Sequence, residues 1–177
     1  MKTIKKINKN LTKKEKEIIN KNRIREFGKK EKKDFKKDYE KNTKWFFVKN
    51  KEEIVALGGL RPVKVDYKTK KYNILGICSI ISIKKKKGYG RKLIEEIIKY
   101  SKKTGKTLLG FTGKGKIFKK IGLKIKKNFI KRFIYIKPNG EKVYDKDGDG
   151  IYYEGKDKLI SKMLKNKSSA YIFVEHW

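Results

Sequence analysis

The chain has 177 residues, 37% of them hydrophobic, and its 52 lysines and arginines against 19 acidic residues give a formal charge of +33. That length suits a single domain over residues 1–177 with its own core, and the clustering of apolar residues into segments excludes a disordered chain. One cysteine, Cys78, excludes an internal disulfide and a cysteine-based zinc site. No apolar stretch approaches a membrane span and no apolar signal core follows the basic start, so a cytoplasmic protein with no metal and no membrane partner is expected.

Residues 1–10, rich in lysine and asparagine, read as a frayed or edge element. Thr12 and Glu15 form the pattern of a capping box, which starts a helix. Its inner face is Ile18, Ile19, Asn22, Ile24 and Phe27, and Gly28 is its C-terminal stop. Residues 29–42 are charged, with Phe35 and Tyr39 at helical spacing, and read as a short helix or an ordered loop over the substrate side. Residues 45–48 form a strand by composition, and a turn at 49–52 leads into a second strand at 54–60. Arg61-Pro62 ends that strand, leaving 63–71 as a loop or a strand extension.

The rest of the chain is organised around residues 74–100. A long apolar run, interrupted by Gly76, predicts a strand over 72–83 that is buried on both faces. Lys84, Lys85, Lys86 and Lys87 follow, then Gly88-Tyr89-Gly90, and then a helical period. Leu93, Ile94, Ile97 and Ile98 share one face, with Lys92, Glu95, Glu96 and Lys99 opposite and the pairs Lys92/Glu96 and Glu95/Lys99 four apart. Gly105 turns the chain into a strand at 107–112, and a strand–helix–strand unit of this length makes a parallel pair. Residues 114–122 read as a short helix with Ile117, Phe118 and Ile121 inward, and 129–136 as a strand. Residues 143–153 read as a hairpin around an Asp-Gly turn. A helix over 156–165 carries Leu159, Ile160, Met163 and Leu164, and a strand at 171–174 closes the fold.

Buried strand, basic glycine loop, amphipathic helix is an order with a chemical use. A helix start leaves backbone N–H groups unpaired and partly positive, so it attracts phosphate, and glycines let a phosphate reach the backbone. Two readings of residues 84–91 stand side by side: a pyrophosphate cradle, and an ordinary strand-to-helix turn in a lysine-rich protein.

The run Lys85-Lys86-Lys87-Gly88-Tyr89-Gly90 resembles the acetyl-CoA-binding motif of the GNAT N-acetyltransferase superfamily, with Lys where that motif has Arg or Gln. About thirty residues on, Ile117-Phe118-Lys119-Lys120-Ile121-Gly122-Leu123 resembles the second motif of the family, and the resemblance covers residues 45–123. It implies an α/β (α+β) fold. The sheet would be mixed and mostly antiparallel, with flanking helices, and splayed between parallel strands at 72–83 and 107–112; residues 124–177 would complete it. It further implies a pantetheine arm along Ile80, Ile81, Ser82 and Ile83, and a pyrophosphate on Lys85, Lys86, Lys87, Gly88, Tyr89, Gly90 and Arg91. Phe118 would also contact the coenzyme. The implied reaction is direct attack by the amine of an acceptor on the thioester of acetyl-CoA. The family often protonates the departing thiolate with a tyrosine of the second motif. The matching residue is Phe118, which cannot, so no catalytic residue is assigned. A non-catalytic acyl-CoA-binding module on the same fold is the alternative.

The high charge also raises a nucleic-acid-binding protein as a reading. The lysines are spread along the chain, however, and arginine occurs only at 23, 25, 61, 91 and 132. Non-specific polyanion binding at low salt follows from the charge alone. Gly105-Lys106-Thr107 ends like a nucleotide-binding loop, but position 100 is Tyr100 where that loop needs glycine. Asp145, Asp147 and Asp149 begin like a calcium loop, but position twelve is Lys156, so a turn is read there. His176 is penultimate and reads as a surface residue, Cys78 as core, and Glu95 and Glu96 as solvated helix face.

Overall fold

The computed structural model describes residues 1–39 and 41–173. His176 and the end of the strand expected at 171–174 therefore lie outside the described residues. The chain divides into two compact units, residues 1–61 with 78–97, and residues 62–77 with 98 onward.

In the first unit, β1 (Lys2–Ile7) is an edge strand, antiparallel to β2 (Lys44–Asn50) from Lys2↔Lys49 to Ile7↔Lys44. Helix α1 (Lys13–Phe27) opens with the expected capping box. Thr12 Oγ1 accepts the Glu15 N–H at 3.2 Å, and Glu15 Oε2 accepts the Thr12 N–H at 2.9 Å. Its buried face is Ile19, Asn22 and Arg23, while Phe27 lies 49% exposed. The sequence reading put Phe27 inward; the face is instead turned toward Arg23, whose charge Glu31 neutralises at 2.7 Å. Residues 29–39 form an ordered loop with one 3-10 turn, Lys29–Glu31. Phe35 and Tyr39 are nonetheless buried against Trp45, with ring centroids 5.9 and 5.2 Å away.

Strand β3 (Glu53–Tyr67) pairs antiparallel with β2, and β4 (Lys70–Ser82) is its other neighbour. Pro62 does not end β3. It falls between the last residue paired with β2, Leu60, and the first paired with the closing strand, Val65. Helix α2 (Tyr89–Thr104) buries Leu93, Ile94, Ile97 and Ile98 as its period predicts. Lys92 pairs with Glu96 at 3.6 Å, but Glu95 pairs back to Arg91 at 2.9 Å and not to Lys99.

The second unit contains β5 (Leu108–Thr112), α3 (Gly115–Lys119), β6 (Lys124–Lys126), β7 (Phe133–Ile136), β8 (Lys142–Tyr144), β9 (Asp149–Tyr153), α4 (Leu159–Leu164) and β10 (Ala170–Ile172). Strand β5 pairs parallel with β4 at Leu75↔Leu108 and Gly76↔Leu109, whereas all five of its residues pair antiparallel with β9. The two-residue parallel ladder beside a five-residue antiparallel one gives the mixed, mostly antiparallel sheet expected. Strand β10 lies antiparallel to β3 and parallel to β7. The core joins Val63, Val65, Ile74 and Leu109 to Phe129, Phe133 and the face of α4.

Several local readings yield to packing in this unit. Ile117 is 58% exposed, because Gly115 and Phe118, three apart, share the inward face of α3. Phe129–Arg132 is a 3-10 turn, so the strand begins only at Phe133. Residues 143–153 are not a hairpin: β8 pairs with β7 across a turn with Gly140 at φ 84°, and β9 pairs with β5 and β6. Gly150 is a strand residue paired with Phe111, and a Cβ there would lie 2.7 Å from the Phe129 ring. Helix α4 is shorter than expected, and Leu164, its last residue, is 42% exposed.

Candidate coenzyme loop and the buried cluster behind it

The loop between β4 and α2 belongs to the first unit. Lys84–Gly88 are exposed, and Tyr89 and Gly90 are half-buried. Lys86 and Gly88 have positive φ, 60° and 75°; the lysine is strained there and the glycine is not. A side chain at Gly88 would meet nothing within 4 Å, so the loop backbone stands open. Gly90 faces Ser82, where a Cβ would be 3.4 Å from the serine Cβ.

The first helical hydrogen bond runs from Lys92 N–H to Gly88 O at 3.1 Å. Among the described residues, the N–H groups of Tyr89, Gly90 and Arg91 have no acceptor. The four lysines are not equivalent. Lys84 is held by Glu53, which raises its pKa, and Lys85 by Glu26 at 3.1 Å. Among the described residues Lys86 and Lys87 have no carboxylate partner. The free cations thus sit directly before the unpaired amides, a combination suited to an anion of two or more charges.

Along β4, Ile81 is buried, while Ile80, Ser82 and Ile83 are half-buried. The N–H groups of Ile83 and Lys84 both reach Val55 O, at 2.9 and 3.3 Å. Strand alternation then leaves the polar groups of Ser82 and Ile80 directed to the opposite edge. Phe118, in the second unit, is half-buried on α3 and carries no ionisable group.

Behind β4 the first unit holds a cluster that the sequence reading missed. Ser79 has φ +52° inside a strand, where a residue with a Cβ seldom goes. Its hydroxyl accepts a hydrogen bond from Arg23 Nη1; Arg23 Nε donates to Glu31 O at 2.9 Å and Nη2 to Glu31 Oε2 at 2.7 Å. The Arg61 guanidinium lies over the Tyr39 ring at 5.6 Å. Burial, and next the neighbouring Cys78, push the Tyr39 phenol up to about 12. One signal was available. Arginine is scarce, five against forty-seven lysines, and at Arg23 all three guanidinium nitrogens are used, which an ammonium would not match. At Arg132, Nη2 serves the carbonyls of Met163, Asn166 and Ser168 at 3.1, 2.6 and 2.6 Å.

The remaining motifs are structural. Thr107 is buried and its hydroxyl donates to Asp157 at 2.6 Å. Asp149 Oδ1 accepts the Asn128 N–H at 3.1 Å within the β-sheet edge. Among the described residues no group of three His, Cys, Asp or Glu side chains is gathered for a metal, and no helix is long and apolar enough to cross a membrane.

No protein-family model matches the chain, and no curated protein sequence does. Solved structures match at low identity. ElaA of Escherichia coli superposes with a TM-score of 0.59 at 10% identity, over 86% of this chain and 99% of its own. YhbS of Escherichia coli, a GNAT family N-acetyltransferase in complex with CoA, gives 0.55 at 9% identity over 99% and 91%. A probable N-acyltransferase of Enterococcus faecalis gives 0.56 at 14% identity over 72% of this chain, and this chain spans only 33% of it. With the mixed sheet, the two-residue parallel ladder and the open loop before α2, these likenesses establish that the chain has the fold of the GNAT N-acetyltransferase superfamily.

Proposed function

We propose that the protein is an acyl-CoA-dependent N-acyltransferase that passes an acetyl group from acetyl-CoA to an amine. One observation carries the reading: among the described residues Lys86 and Lys87 have no carboxylate partner and adjoin the amides of Tyr89, Gly90 and Arg91, which have no acceptor, on an open backbone. A diphosphate satisfies both kinds of group at once. The CoA bound to YhbS supports the coenzyme assignment.

With the diphosphate on Lys86–Arg91, the pantetheine arm would run back along β4 past Ile83 and Ser82 to Ile80. The alternate residues Ser82 and Ile80 would hydrogen-bond it, the Ile83 amide being taken by Val55. Lys85 would contribute charge at longer range, since Glu26 holds it. The amine attacks the thioester carbonyl, the oxyanion needs a backbone N–H, and the thiolate leaves with a proton. The basic surface favours an acidic or small neutral acceptor over a polycation, and residence in the cytoplasm fits a chain with one buried thiol.

The test is a thermal-shift titration with acetyl-CoA, ATP and NAD in parallel. A ligand at a hundred times its dissociation constant stabilises the fold by about 2.7 kcal/mol, so acetyl-CoA alone should raise the melting temperature. Equal shifts from all three would overturn the reading in favour of a general polyanion surface. An acetylation assay across amine classes would then test the acceptor preference, which faster turnover of lysine-rich peptides would refute.

A further inference from the structure

The second unit carries an aromatic surface that the coenzyme reading does not use. Strands β7 and β10 and the end of β3 turn Phe133, Tyr135, Ile172 and Val65 to the core, and Val143 of β8 packs against it. Side chains alternate along a strand, so the residues between these point to the other face. Register sets three of them in one row: Tyr171 of β10 lies opposite Ile134 of β7, and Ile134 opposite Tyr144 of β8. Phe173 continues the alternation two residues after Tyr171, its N–H bonded to Lys64 O at 3.2 Å. Tyr144 is 63% exposed, Phe173 44% and Tyr171 39%. Seven large apolar side chains lie exposed among the described residues, and these three share one sheet face. Two strands separate Tyr144 from Tyr171 by roughly 10 Å, and two residues carry Phe173 roughly 7 Å along from Tyr171.

The same face is basic. Lys142, opposite Ile136, brings its Nζ to 5.7 Å from the Tyr171 ring centroid. Lys64 is exposed beside Phe173. Asp66, the carboxylate in these rows, lies opposite Tyr171 and is paired with Lys71 at 3.1 Å.

Charge selects the occupant. A second copy of a chain of charge +33 would set lysines against lysines. The projecting groups are rings and not aliphatic chains, which suits planar bases better than lipid tails. A polyanion whose units carry flat groups satisfies both features, with bases on the rings and phosphates on the ammonium groups. A duplex keeps its bases stacked on each other, so the strand must be single. Two of the three rings carry hydroxyls able to hydrogen-bond a ribose 2′-hydroxyl, a group that DNA lacks.

We propose that the outer face of β10, β7 and β8 binds single-stranded RNA, its bases stacked on Tyr144, Tyr171 and Phe173 and its phosphates on Lys64 and Lys142. The lysine stem is flexible, so Lys142 leaves the Tyr171 ring for a phosphate as a base takes its place. The proposal stands apart from the acyltransferase reading and needs no coenzyme.

The test is fluorescence anisotropy on the full chain with a labelled oligouridylate about ten nucleotides long, within the span of one single-strand site. Deoxyuridylate of the same length, an RNA duplex and phosphatidylserine vesicles are run in parallel. The RNA strand should bind most tightly. Tyr144→Leu and Tyr171→Leu should each weaken it about tenfold, while the matching phenylalanine variants, which keep a ring, stay within about threefold. Replacing Lys64 and Lys142 together by alanine should lower the slope of log affinity against log salt by about 1.4. Duplex bound as well as single strand, or leucine variants equal to wild type, would overturn the proposal in favour of a general basic surface. DNA bound as tightly as RNA would overturn the choice of RNA. Vesicle binding lost in the leucine variants would overturn it in favour of a lipid surface, and a wild-type dimer that those variants dissociate, in favour of a second copy. Ultraviolet crosslinking of 4-thiouridine RNA to the unaltered protein gives a reading without substitution. It should label the peptides of Tyr144 and Tyr171, and labelling confined to other peptides would overturn the site.

Discussion

Gly155→Ala is expected to damage the fold far more than Gly58→Ala, although both glycines are buried. A Cβ on Gly155 would stand 2.3 Å from Thr107 N, 2.4 Å from the Lys106 carbonyl carbon and 2.6 Å from Gly105 O. All three are backbone atoms, and that backbone is tied down. Gly155 N–H donates to Thr107 Oγ1 at 2.9 Å, Lys156 N–H to Gly105 O at 2.7 Å, and Thr107 N–H to Asp157 at 3.0 Å. Opening space would strain two or three of these bonds at about 1 kcal/mol each. Overpacking adds about 1–3 kcal/mol, for a total of roughly 4 kcal/mol. For a chain of this size that is a fall in Tm of about 8–16 °C. At Gly58 the nearest atom is Ile80 Cδ1 at 2.6 Å, the free end of a side chain that can rotate away, followed by Leu93 Cδ2 at 3.3 Å. The cost there should stay below about 1 kcal/mol, offset in part by the lower entropy of unfolded alanine. Thermal melts by circular dichroism on the two variants decide the matter. A Gly155→Ala protein that melts within about 3 °C of wild type, or no lower than Gly58→Ala, would refute the reasoning that backbone clashes dominate.

Three further outcomes follow from the same geometry. Replacing Lys86 and Lys87 together by alanine should weaken acetyl-CoA binding by about tenfold at low salt, with the difference shrinking as ionic strength rises, whereas Lys84→Ala, already paired to Glu53, should change it less; calorimetry at two salt concentrations measures this. Because Tyr39 ionises at about 12 in the folded chain and near 10 when unfolded, the unfolded state holds fewer protons between those values, so stability should fall as pH rises from 10 to 12. Urea denaturation at pH 9.5 and 11.5 should show a smaller fall in Tyr39→Phe, Tyr135 accounting for part of the remainder through its own raised pKa. Thr12→Ala should cost about 1 kcal/mol by removing one side of the capping box, read as a lower urea midpoint at unchanged slope.

The helix α2 was legible because Leu93, Ile94, Ile97 and Ile98 repeat at the helical period, and that signal is local. The same is true of the capping box at Thr12 and of the glycine loop before Tyr89. Pro62 misled because the strand continues past it to pair with β10, which lies far away in sequence. Ile117 misled because five residues of helix carry too short a period to choose a face, and Gly115 against Ile125 made the choice. Asp147-Gly148 looked like a hairpin turn, but β8 and β9 find different partners in the sheet.

For the candidate site the division is similar. Order along the chain was enough to set the basic loop between a buried strand and a helix start, since chain connectivity alone puts open amides beside lysines. It could not separate the two lysines held by Glu53 and Glu26 from the two that have no carboxylate partner among the described residues. Nor could it bring Tyr39 and Arg23 to Ser79, forty and fifty-six residues away. Those placements depend on side chains meeting across distant segments, where burial and charge pairing, not local periodicity, determine which group faces which.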